Sequence, residues 1–477
     1  MRHLYLFLIA IAAISFSMLP LHLSAVNTIE VKKAGLDKAS NGIKNFNYLK
    51  TLYEDARKNN LQVTYSKGTT IYLTIPSNGE PIMLSGKNDF NGATFIVSNT
   101  QKDFFLFTFG SSINPTKVNV TKEQIDSGDF TSVPALAHGD IMLIVKDSKP
   151  WTERYGYNYK QYRNDLLVLK NGKTTNSTIF AYNTSATLPD CSYLKCTTNP
   201  GTMENISFVR NTNSTKQTYL LKASYQNNLT LENINISTPK QDKIVYGDNA
   251  IYLEHCAFTT INHLNVDGTY STYNQFGYAI YMNNVYQTHI SNMTAKAQWG
   301  VFGTTNVNTL ILSNSDINRF DIHCLGKDIL MKNSTFHNEL NTQNTYNQFS
   351  SMQGYVRFDS CSFIQFRPVL IETSYNIYTK FDLTLNDCYW DLPTDHNCLV
   401  EVYEVGDVKK NRKELRSVEY PNITINNLRI QNRWQSKLYY IGVQHQDGWK
   451  RPRTYPSTLK VNNVVAGSSL QLIPFGY

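Results

Sequence analysis

The sequence predicts an all-β chain: a single-stranded, right-handed parallel β-helix of about ten or more stacked coils, with an asparagine ladder and an N-terminal helical cap. Three observations predict it. A short pattern recurs between residues 203 and 466: apolar, any, apolar, any, Asn, then apolar at the next position and again two further on. Leu229, Leu231, Asn233, Ile234 and Ile236 form one copy, and Ile423, Ile425, Asn427, Leu428 and Ile430 form another. The second apolar position falls at Met203, Leu231, Ile261, Ile290, Leu312, Met331, Phe358, Leu385, Ile425 and Val461, with spacings from 19 (Leu312 to Met331) to 40 (Leu385 to Ile425). A fixed local pattern at an elastic period marks a solenoid whose strands stay in register while loops on one face vary. Two residues further on stand Asn205, Asn233, His263, Asn292, Asn314, Asn333, Ser360, Asp387, Asn427 and Asn463; five further on, all ten positions are apolar. Apolar period two is a strand signal. Asn tolerates the left-handed backbone of a sharp bend, and stacked Asn side chains hydrogen-bond along a stack.

In chain order, residues 1–25 read as a secretory signal peptide. Arg2 and His3 precede an apolar run from Leu4 to Leu23, and Ser24 and Ala25 are small. Residues 26–60 are polar with one helical stretch, Asn47 to Asn59, and form the N-terminal cap that an open β-helix end needs. Residues 61–200 read as first, irregular coils with an aromatic and basic insertion. Short alternating runs (Thr70 to Ile75, Ile82 to Leu84, Ala93 to Val97, Phe104 to Phe109) give way after residue 110 to a stretch that breaks the pattern. Within it Trp151, Tyr155, Tyr157, Tyr159 and Tyr162 interleave with Lys149, Arg154, Lys160 and Arg163, as a sugar-lining surface or as packing over the helix flank. Residues 201–477 are the regular coils.

The formal net charge is +8, with 31 Tyr, 23 Phe and only 17% charged residues. Rings and amides suit sugars, and a mild positive charge suits an anionic polysaccharide. Secretion and low charge density argue against nucleic acid. No membrane span follows the signal segment. There are seven cysteines. Cys191 and Cys196 lie in a loop-like stretch and are candidates for a small disulfide. Cys361 and Cys388 share one repeat position and read as stacked core residues. No zinc spacing occurs.

Three short strands per coil with an Asn ladder at one bend resembles the pectate-lyase-like β-helix superfamily. That fold hosts lyases, hydrolases, esterases, epimerases, adhesins and phage tailspikes, so the resemblance speaks to fold more than to chemistry. It implies a cleft along the strand before each repeat copy. Alternation then turns Asp321 and His323 outward between Phe320, Ile322 and Cys324, and likewise Glu372 and Glu401 on later coils. These four are the candidate catalytic residues. Arg319, Lys327, Arg367, Tyr403 and Trp299 are the candidate substrate-binding residues. Two nearby carboxylates can hydrolyse a glycoside; a base with a cation beside a uronate carboxylate can run a lyase elimination. Polygalacturonases carry an adjacent Asp pair and Gly-His-Gly, and calcium-dependent pectate lyases an Asp cluster with Arg-x-Pro-x-x-Arg. None of these occurs here, so no family's catalytic residues carry over.

The reading is a secreted, periplasmic or cell-surface protein acting on a polysaccharide as a lyase or hydrolase, monomeric or trimeric, with calcium left open as a cofactor and no metal ligands assigned. A non-catalytic glycan-binding or exopolysaccharide-assembly protein and a surface adhesin are the alternatives.

Overall fold

The computed structural model describes residues 27–475 apart from a set of loops, the longest being 179–188, 238–249, 268–277, 338–345, 373–379, 405–417 and 446–452. The signal segment and Trp299 lie outside the described residues, as do Lys149, Trp151, Arg154, Tyr155, Tyr157 and Tyr159.

The repeat pattern becomes one continuous ladder. Met203, Leu231, Ile261, Ile290, Leu312, Met331, Phe358, Leu385, Ile425 and Val461 are consecutive register partners, each paired in parallel with the next. All but the last are fully buried. A second ladder runs Ile71, Phe95, Phe208, Ile236, Val266, Ala295, Ile317, Phe336, Phe363, Trp390 and Ile430. The core therefore runs the length of the solenoid as stacked rows, and each coil is stabilised mainly by its two neighbours.

All ten bend positions have positive φ, from 47° at Asn333 to 59° at Asn205 and Asn427. The side chains stack as the residue type predicts: Asn233 Nδ2 donates to Asn205 Oδ1 (2.8 Å), Asn427 to Asp387 (2.8 Å) and Asn463 to Asn427 (2.7 Å). A further bend, which the pattern does not announce, also uses left-handed residues, at Tyr225 and Asn228, His255 and Phe258, Asn284 and Gln287, Asn306 and Thr309, and Leu325 and Asp328.

The cap helix runs Gly42–Lys58, five residues earlier than the expected start at Asn47. Gly42 permits this: a Cβ there would lie 2.2 Å from Thr74 Oγ1, so only a bare Cα lets the helix press onto the first coil. Phe46 and Tyr53 then pack edge-on against Phe104 and Phe107.

The strands between residues 70 and 109 belong to the same 25-stranded sheet as the later coils. Lys87–Ser98 pairs with Thr202–Arg210, and Phe104–Phe109 with Thr218–Ser224. The chain leaves the solenoid after Phe109 and returns at Thr202. In between it builds a five-stranded antiparallel sheet from Thr116–Lys117, Asp140–Lys146, Asn164–Lys170, Lys173–Thr174 and Asp190–Lys195. One face has its own core around Phe130, Leu143 and Leu167; the other packs on the unannounced bend through Met142, Ile144 and Ala257.

The candidate Cys191–Cys196 disulfide is not formed; both thiols are free. Cys191 is the second residue of a strand and Cys196 follows its end, so an extended run of about 16 Å separates them. They also serve opposite faces, Cys191 in the sheet's own core and Cys196 toward the solenoid.

Candidate functional site

One outward row of the solenoid runs Lys222, Tyr252, Tyr281, Gly303, Asp321, Gln348, Leu370, Glu401 and Gly442, each the register partner of the next. Two residues along, Glu372 pairs with Tyr403. Asp321 and His323 alternate with Phe320 and Ile322, which point into the core. Burial of those two apolar residues holds the polar pair on the outer side of the strand.

There the polar groups form a linked chain. Arg319 Nε donates to Asp321 Oδ1 (2.6 Å), and its NH2 donates to Gln348 Oε1 (3.0 Å). Gln348 Nε2 donates to Ser350 Oγ (3.0 Å) and to Glu372. Arg367 donates to Glu401 Oε2 (2.8 Å). Both guanidiniums lie over the ring of Tyr346, at 4.4 Å for Arg319 and 4.7 Å for Arg367, which joins the two ion pairs. The structure thus brings Asp321, His323, Glu372, Glu401, Arg319 and Arg367 into one cluster.

Its centre is the hydroxyl of Tyr278, two coils below. It donates to Asp321 Oδ2 (3.2 Å) and stands 3.0 Å from His323 Nε2. Gly303 makes this reach possible, since a Cβ there would lie 2.6 Å from the Tyr278 ring. A phenol carries one proton. When it goes to ionised Asp321, His323 must donate Nε2–H to the phenol oxygen, which leaves Nδ1 as the ring's lone-pair nitrogen.

Burial decides which groups can meet a substrate. The expected open groove lined by carboxylates is not what these residues form. Asp321 is 0% exposed and Glu401 is 1% exposed, each locked to its arginine. Arg319 and Arg367 are themselves buried, so their charges serve the carboxylates first. His323, with 17% of its side chain exposed, is the reachable member of its trio, and Glu372 is half-buried. Burial drives the Asp321 carboxyl up to about 6, outweighing the attraction of Arg319 and the Tyr278 hydrogen bond that pull it down, and the nearby Glu372 charge adds to the rise.

Lys327 does not join the cluster. It lies past the bend at Leu325 on the next face of the coil, where its Nζ donates to Ser177 Oγ (2.6 Å) of the inserted segment. Tyr403 lies half-buried on the row beside the cluster. Tyr278, Tyr346 and Gln348 were missing from the sequence reading. The trace they leave is an aromatic or amide at the opening of a pre-repeat strand, with Gly303 opposite Tyr281 as a gap one coil on. Among the described residues, no group of three His, Cys, Asp or Glu side chains is arranged to hold a metal ion, and no helix is long and apolar enough to cross a membrane.

No protein-family model matches the chain, and no curated protein matches it by sequence. Solved structures similar to it are phage tailspikes. The tailspike gp61 of Pseudomonas phage phi297 aligns with a TM-score of 0.54 and 13% identity, covering 84% of this chain and 71% of that one. The tailspike protein gp49 of Pseudomonas phage LKA1 aligns with a TM-score of 0.50 and 12% identity, over 88% and 76%. The gp54 tailspike of Acinetobacter baumannii bacteriophage AP22, solved in complex with A. baumannii capsular saccharide, aligns with a TM-score of 0.47 and 11% identity, over 89% and 73%. At these identities the likeness is one of fold: this chain is a parallel β-helix of the kind tailspikes use.

Proposed function

We propose that the chain acts on a polysaccharide by proton abstraction, in the manner of a lyase, at the Tyr278, His323 and Asp321 trio. The observation that carries this reading is the Tyr278 hydroxyl, 3.0 Å from His323 Nε2 and 3.2 Å from Asp321 Oδ2. In this scheme His323 Nδ1 takes the proton next to a uronate carboxylate. Nε2–H stays hydrogen-bonded to Tyr278, and Tyr278 to Asp321. The buried carboxylate 3.8 Å from Nε2 then stabilises the imidazolium formed. Hydrolysis between two carboxylates fits less well, because Asp321 and Glu401 are sealed against their arginines. A polysaccharide substrate goes with export of the chain, which residues 1–25 would direct as a signal segment.

The test is incubation of residues 26–477 with a panel of acidic and neutral polysaccharides, with and without calcium. New reducing ends and the ultraviolet absorbance of unsaturated uronates are followed together. The proposal expects both signals from an acidic polymer, and their loss in His323→Ala with folding intact. Reducing ends without absorbance would refute the lyase reading. A second reading, glycan binding without turnover, is favoured by the same sealing of Asp321 and Glu401. Saturable polysaccharide binding with no product would support it.

A further inference from the structure

A cavity of about 350 Å³ opens where the end of the cap helix, the first coils and the inserted sheet meet. It lies at the bend after Thr218–Ser224. Lys222 of that strand is four rungs from Asp321 along the outward row, about 19 Å at the usual strand spacing. The cavity therefore shares no residue with the cluster described above. Its volume is at the low end of small-molecule sites, about 300–1,000 Å³.

The wall is built around two missing side chains. Gly86 has φ 56°, and a Cβ there would lie 2.9 Å from Asn199 Nδ2. Gly110 has φ 71°, and a Cβ would lie 2.6 Å from Gln226 Nε2. Bare backbone at these two points admits two amide side chains. Gln226 is buried and its Nε2 donates to the Ser224 carbonyl (2.9 Å), which fixes the head. Tyr225 adds a phenol, stacked on His255 at 5.1 Å, and Ile113, 37% exposed, adds an apolar surface.

The charge is one-sided. Among the described residues, Arg57 and Lys195 both line the cavity and no Asp or Glu does. Both cations are exposed, and neither side chain has an ion pair or hydrogen bond among the described residues. Glu254, whose charge reaches the Tyr225 phenol, is itself held by Lys222 (3.0 Å) and Ser224 Oγ (3.3 Å). Amides and a phenol suit hydroxyl groups, the apolar surface suits a ring face, and two unpaired cations suit one carboxylate. A bare inorganic anion would use the cations alone. We propose that this cavity binds a hexuronate unit, as a second saccharide site independent of the Tyr278, His323 and Asp321 trio.

The test is calorimetric titration of the full chain with D-glucuronate, D-glucose and acetate. One saturable site for glucuronate is expected, with glucose and acetate at least tenfold weaker. Arg57→Gln combined with Lys195→Gln should weaken glucuronate at least tenfold at unchanged melting temperature, since both side chains are exposed. Tyr278→Phe should leave it unchanged, whatever becomes of the proposed lyase activity. Absence of glucuronate binding, equal affinity for glucose, indifference to the double substitution, or loss in Tyr278→Phe would each overturn the proposal.

Discussion

Replacing Arg319 with methionine tests the electrostatics of the site most directly. The substitution keeps an apolar stem of similar length and removes the guanidinium that lies 2.6 Å from Asp321, 3.0 Å from Gln348 and over the Tyr346 ring. Asp321 is fully buried and titrates near 6 when folded against an ordinary 3.8. The folded state thus prefers the protonated acid by about 3 kcal/mol. The sign follows: this contribution is fully present below pH 3.8 and is lost as pH rises through 6. At pH 8 the variant buries an ionised carboxylate without its counter-charge, which costs about 3–5 kcal/mol. At pH 5 the same carboxyl, freed of arginine's pull, is protonated, so that part of the loss disappears. What remains is the ring contact and the Gln348 hydrogen bond, about 1–2 kcal/mol. Calorimetric melting of wild type and Arg319→Met at both pH values measures the difference. The gap should be several degrees at pH 8 and should narrow at pH 5. A gap that is constant, or that widens on acidification, would refute the assignment of Asp321 as the buried charge.

Further outcomes follow from other contacts. Activity on a polysaccharide should fall as pH drops through about 6, because a protonated Asp321 no longer accepts from Tyr278 and the lone pair on His323 Nδ1 is no longer enforced; a pH-rate profile reads this. Tyr278→Phe should cost about 100-fold in rate, the lower end of what positioned proton transfer contributes, with circular dichroism unchanged. Gly303→Ala should displace the Tyr278 ring, which a Cβ would approach to 2.6 Å, and lower the rate as Tyr278→Phe does; wild-type kinetics in this variant would sink the idea that the glycine is there for the tyrosine. Asn427→Ala places a Cβ-bearing residue without a local hydrogen bond at φ 59° and cuts the ladder between Asp387 and Asn463, so it should destabilise by about 2–3 kcal/mol, seen in the urea midpoint.

The fold was legible because its core is written locally and repeated. Leu231 and Ile236 are buried in the same way as Ile425 and Ile430, one coil after another, and a ladder of register partners can be read as a column of aligned letters. The Asn bend was legible for the same reason: its backbone needs positive φ, and few side chains supply it cheaply. The second bend needs the same backbone yet holds Tyr225, Phe258, Thr309 and Leu325, of which Tyr225 and Phe258 pack against the inserted sheet. That packing is tertiary and leaves no local mark. The inserted sheet was legible only as a break in the pattern, because its strands pair antiparallel over variable distances.

The site was legible by the same logic and only to the same depth. Alternation along Phe320–Lys332 turned Asp321 and His323 outward, and the coil spacing brought Glu372 and Glu401 near them. Outward on the strand is not the same as exposed. A polar residue on the outer row is accessible only if nothing covers it. Arg319, just before the strand of Asp321, and Arg367, on the coil before that of Glu401, cover the two carboxylates and share the ring of Tyr346. In the proposed mechanism Asp321 and Glu401 are electrostatic support, and His323, the partly exposed end of a chain that runs through Tyr278 to Asp321, is the proposed working end. Tyr278 comes from two coils away and reaches the cluster only because residue 303 has no side chain, a dependence between positions 25 apart that no periodic pattern records.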